Sequence, residues 1–134
     1  MDSSVVCRSG RSGWRGQGKG PWRLALALLA CSPAPPTTPP AAAVQRLYAA
    51  AAAGDCAAAR DALGGELRAR VAQQGTCDPL FEELSRHPLE HVVATQVDGR
   101  NRAAQLVRIR LRGRTTDTII RVQAEGAQWK IFSL

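Results

Sequence analysis

Ala104-Gln-Leu-Val-Arg-Ile-Arg-Leu111 decides the fold. Val107, Ile109 and Leu111 alternate with Arg108, Arg110 and Arg112. A period of two is that of a strand with one buried and one wetted face. Working outward, His91–Val97 is rich in β-branched residues and ends at Asp98-Gly99. Gly113 turns the chain after the alternating stretch, and Thr115–Ala124 is strand-like up to Glu125-Gly126. Ala127–Leu134 closes the chain with Trp129, Ile131 and Ser133 alternating against Lys130, Phe132 and Leu134. Strand runs separated by such turn signals predict an antiparallel meander.

Upstream the period becomes helical. Val44, Leu47, Tyr48, Ala51 and Ala52 share one face of a helix that begins near Ala41. Gly54 is suited to a left-handed cap at its end, and Asp55 to capping the next helix. Cys56–Leu63 reads as that second helix, stopped by Gly64-Gly65, and Glu66–Gln73 as a short third. Asp78-Pro79 reads as an N-cap followed by proline in the first turn of a fourth, which stops before Pro88. Helices followed by hairpins define an α+β domain: N-terminal helices packed on a curved, antiparallel, four-stranded sheet. With 45% apolar residues but only 4% aromatic ones, the core has to be built from Val, Ile and Leu.

Before Ala41 the composition differs. Residues 1–30 hold five basic side chains and one acidic one, so they carry +4 of the formal +7. The nucleic-acid reading that a pI near 10.3 would invite thus leans on the leader. The apolar run Leu24–Ala30 behind Arg23 has the layout of a secretory signal, and it is far shorter than the ~20 residues of a membrane span. It ends in Leu28-Leu29-Ala30-Cys31, which resembles the lipobox of bacterial lipoproteins, with the less usual Leu29 next to the small residue. That resemblance implies that Cys31 is acylated and becomes the first residue of the mature chain. The alternative is ordinary cleavage near Ala34. Ser32–Pro40 has five prolines in nine residues, which favours polyproline II over helix. The expected organisation is a signal peptide at 1–30, a proline-rich tether at 31–40 and a folded domain at 41–134.

Ala43-Val-Gln-Arg-Leu-Tyr-Ala49, then Gly54-Asp55-Cys-Ala-Ala-Ala59 and Leu63, resembles the start of a nuclear transport factor 2-like (cystatin-like cone) domain. Gly126-Ala-Gln-Trp129-Lys130-Ile131 is similar to the last strand of the same superfamily. The resemblance covers Ala41–Leu134 and implies a cone whose mouth can hold a small molecule. Enzymes of that superfamily place carboxylates and tyrosines inside the cone. Here Tyr48, Asp117 and Trp129 are the candidates for a cavity, and each also has a plain structural reading as a core or strand residue.

No nucleophile, base and orienting group can be assigned, so no catalytic residue is named. No cofactor is expected. His87 and His91 flank a proline and cannot share a helix face, so no metal site is expected. Cys56 and Cys77 lie in what reads as an exported domain. They are expected to form a disulfide contributing ~3 kcal/mol, two buried free thiols being the alternative. The row Arg108, Arg110, Arg112 suits anionic lipid or peptidoglycan carboxylates, or is simply a solvated face. It lacks interleaved aromatics, which disfavours nucleic acid.

Two functions follow. One is a non-catalytic protein lipid-anchored to the cell envelope, an interaction or accessory domain with an envelope protein as partner. The other is a carrier or an isomerase- or hydrolase-type enzyme that takes a small hydrophobic ligand in the cone.

Overall fold

The computed structural model describes residues 35–134. The expected signal segment, the expected lipobox with Cys31 and the start of the expected tether lie outside the described residues. Four helices, α1 (Ala41–Ala53), α2 (Cys56–Ala62), α3 (Gly65–Gln74) and α4 (Asp78–Arg86), precede four strands. These are β1 (Leu89–Val97), β2 (Ala104–Leu111), β3 (Thr118–Glu125) and β4 (Gln128–Ser133). The strands form one antiparallel sheet in the order β1-β2-β3-β4. The α+β class expected from the change of period is the one observed.

Local chemistry accounts for the helix ends. Alanine gives α1 high helix propensity, and Gly54 ends it at φ 68, where its N–H reaches the carbonyls of Ala50 and Ala51. Asp55 then accepts a hydrogen bond from the Ala58 N–H at 3.0 Å and starts α2. At α4 the cap shifts by one residue. Cys77 occupies the N-cap, Asp78 is inside the first turn, and the Asp78 N–H donates to Thr76 Oγ1 at 3.2 Å.

The core lies between the helices and one face of the sheet. Val107 and Ile109 of β2, Ile120 and Val122 of β3 and Ile131 of β4 meet Val44 and Leu47 of α1 and Leu63, all essentially inaccessible. At roughly 25 cal/mol per Å² of apolar surface, each such side chain contributes about 1.5–3 kcal/mol on burial.

Three details differ from the sequence expectation. β1 starts at Leu89 rather than His91, because the Arg112 N–H donates to the Pro88 carbonyl at 2.8 Å and extends the ladder. β3 starts at Thr118 rather than Thr115, because Arg110 Nη1 holds the Thr115 carbonyl at 3.3 Å within the turn. The strict alternation of β4 fails, since Lys130 and Ile131 are both buried. The α2–α3 connection causes this. Leu63 bridges Ile131 in parallel, and the Gly64 N–H donates to the Ile131 carbonyl at 2.9 Å. The edge of β4 is thereby covered. The outer edge of β1 has no such cover among the described residues, and bulges at Leu89/His91 and Val92/Ala94 interrupt its ladder.

Candidate functional site

Where the helical layer meets the β2–β3 turn, the core opens into a cleft of about 410 Å³. Four parts of the chain build it. On α4, Leu80, Glu83 and Leu84 recur at helical spacing, and His87 follows at the C-cap. From α1 comes Tyr48, next to the buried Leu47 and so at the margin of the apolar stripe. The hairpin of β2 and β3 adds Leu111, Arg114, Thr118 and Ile120, and Leu134 closes the wall. The floor is apolar and the rim polar. A second groove of about 370 Å³, on the other side of Tyr48 and Leu84, runs between α1 and α4.

The charges on the rim are unequally committed. Glu83 Oε2 is 3.1 Å from Arg86 Nη1, and Arg86 Nη2 is 2.8 Å from Glu82 Oε1. His87 Nδ1 lies 3.2 Å from the Arg112 carbonyl. Arg114, exposed at the mouth, takes part in no ion pair among the described residues. Burial raises the pKa of the Tyr48 hydroxyl, with Arg114 opposing the rise and Glu83 adding to it. The phenol is therefore protonated at neutral pH, a hydrogen-bond donor beside a guanidinium.

Of the three cavity candidates read from the sequence, the cleft takes Tyr48 alone. Asp117 lies on the opposite face of the sheet. Its Oδ1 is 2.6 Å from Arg110 Nη2 and 2.7 Å from Arg110 Nε, and its Oδ2 is 3.6 Å from Arg108 Nε. The turn at 112–117 folds the carboxylate back over the arginines of its own hairpin. Trp129 is corrected to the far end of β4, away from the cleft. Its indole N–H donates to the Thr38 carbonyl at 2.9 Å, and its own carbonyl accepts from Arg46 Nη2 at 3.2 Å. It ties the end of the proline-rich segment to the sheet.

The arginine row is less cationic than its sequence. Arg108 and Arg110 share one carboxylate, and Arg121 is 3.0 Å from Asp98 Oδ2. Arg112 and Arg114 sit in the β2–β3 turn and Arg100 and Arg102 in the β1–β2 turn. The eight residues of β2 separate these two groups, about 23 Å at the rise of a strand. The seven arginines do not form one patch.

A disulfide joins Cys56 and Cys77, with Cα atoms 5.6 Å apart and a sequence separation of 21. It clips the start of α2 to the start of α4 and holds α3 between them. Among the described residues no group of three metal-ligating side chains comes together. Nor is any described helix long and apolar enough to cross a membrane. Leu80, Glu83 and Arg114 were not singled out for the cleft from sequence, although the spacing of Leu80, Glu83, Leu84 and His87 on α4 carried a signal. Comparison with protein-family models, curated proteins and solved structures returned no match to this chain.

Proposed function

We propose that this chain is an exported, non-catalytic binding domain, held at the cell envelope by lipid on Cys31. The observation that carries the reading is the Cys56–Cys77 disulfide. Such bonds persist in oxidising compartments and are rare in a reducing cytosol. The apolar run ahead of Cys31 and the proline-rich stretch behind it support the same address. The four-stranded antiparallel sheet with helices on one face suits the cone expected from the resemblance to nuclear transport factor 2-like domains.

Binding rather than turnover is the reading because the one acidic side chain that lines the cleft, Glu83, is paired with Arg86. The Tyr48 phenol, protonated at neutral pH, offers a bound molecule a hydrogen bond. The small-molecule alternative retains one specific observation, the cleft that Tyr48 lines.

The experiment is metabolic labelling with a palmitate analogue in a bacterial host, with and without globomycin. Label on the chain, lost in Cys31→Ser, is the expected result. Label that survives the substitution, or a full-length precursor in the soluble cytoplasm, overturns the anchor. Thiol titration checks the compartment: the exported, unreduced domain is expected to present no reactive thiol from Cys56 or Cys77.

A further inference from the structure

We propose that the cleft beside Tyr48 is a binding site for a small amphipathic carboxylate, with its apolar chain in the cleft and its head on Arg114. The inference deepens the binding-domain reading, but it concerns the folded domain alone and does not depend on Cys31.

Size comes first. About 410 Å³ falls within the roughly 300–1,000 Å³ of small-ligand sites. The floor comes next. The side chains of Leu80, Leu84, Leu111, Ile120 and Leu134 offer an unbranched alkyl chain apolar contact. Leu84, Leu111 and Ile120 are buried parts of the core, so this floor is pre-formed.

Charge selects the head group. Three ionisable side chains surround the mouth besides Tyr48: Glu83 from α4, His87 at its end and Arg114 from the β2–β3 turn. Glu83 is paired with Arg86, and His87 Nδ1 faces a backbone carbonyl. Arg114 is the cation with no carboxylate partner among the described residues, and the Tyr48 pKa responds to it. A guanidinium fork beside a protonated phenol and the Thr118 hydroxyl is a donor set for a carboxylate. A cationic head would meet Arg114 itself. A neutral alcohol would gain no charge-assisted hydrogen bond from the guanidinium.

The test is calorimetric titration of the full-length chain, disulfide oxidised, with octanoate and separately with octanol. Octanoate is expected to saturate one site and octanol to bind about tenfold more weakly, the scale of one charge-assisted hydrogen bond. In Arg114→Gln the octanoate preference is expected to vanish while octanol binding is unchanged. Arg114→Lys is expected to keep most of it, and Tyr48→Phe to weaken octanoate a few-fold. Arg114 is exposed, so both of its variants are expected to fold, and circular dichroism checks this. Equal binding of acid and alcohol, or an Arg114→Gln chain that binds octanoate as well as the native one, overturns the proposal. So does an absence of saturable octanoate binding. An apolar tripeptide with a free carboxylate that binds more tightly than octanoate overturns the ligand class.

Discussion

Reducing the Cys56–Cys77 bond should cost the domain a large part of its stability. The cross-link spans a sequence separation of 21. In the loop-entropy treatment, closing a loop of that size removes about 11 cal/mol/K from the unfolded chain, or about 3 kcal/mol at 25 °C. That is a substantial share of the roughly 5–15 kcal/mol by which native domains are stable. For a domain of this length about 1 kcal/mol moves the melting temperature by roughly 4–8 °C, so the expected fall is roughly 12–24 °C. The structure says where the loss acts. Val71 is the only buried residue of α3, whereas the sheet and α1 share a continuous core. Thermal melts followed by far-ultraviolet circular dichroism, with and without reductant, read the shift. The Cys56→Ala/Cys77→Ala chain, which cannot re-oxidise, serves as control. A fall of under about 4 °C would mean that the α2–α4 segment is already restrained in the unfolded chain, and the entropic reasoning would fail.

Further outcomes are expected at other positions. Lys130, with a side chain only 7% exposed, donates to the Asp61 carbonyl, to Gln128 Oε1 at 2.9 Å and to Asp61 Oδ1 at 3.3 Å. Lys130→Met should cost about 1–3 kcal/mol in urea denaturation, because it strands a carbonyl near the end of α2. A Cβ at Gly64 would come within 2.5 Å of the Phe132 ring and 2.8 Å of Lys130 Cβ. Gly64→Ala should therefore destabilise by about 1–3 kcal/mol, as overpacking does, and deprotect the Gly64 amide in hydrogen exchange. Tyr48 is the only tyrosine, so phenolate absorbance reads it alone, and its midpoint should lie above the value of about 10 usual for tyrosine. A folded pKa above the unfolded one means that this group's contribution is complete below about pH 10 and is lost as pH rises through the folded value. Tyr48→Phe should remove that part of the alkaline loss.

How much of this was legible in the sequence depended on the range of the interaction. Gly54 and Asp55 act within a few residues of themselves, and their caps were readable. Val107, Ile109 and Leu111 were readable too, because one buried face imposes a period of two over several residues. Lys130 was not. Its burial arises from the crossing of Leu63 and Gly64, nearly seventy positions upstream, and a strand pattern carries no trace of that. Asp117 lies between these cases. It is seven residues from Arg110 and meets it across a turn three residues longer than the strand pattern predicts. Arg114 belongs to the cleft because of where α4 lies, which the spacing within α4 does not reveal.

The two margins of the sheet are not equivalent. Leu63 and Gly64 close the β4 side from within the chain, while among the described residues nothing pairs with the outer edge of β1. Filament growth through native sheets requires two complementary flanks on every subunit. With a single flank on offer, two copies that meet there use the same surface twice about a two-fold axis and leave nothing for a third. Among the described residues, the crossing at Gly64 thus leaves the sheet one flank for self-association, which suits a pair rather than a filament.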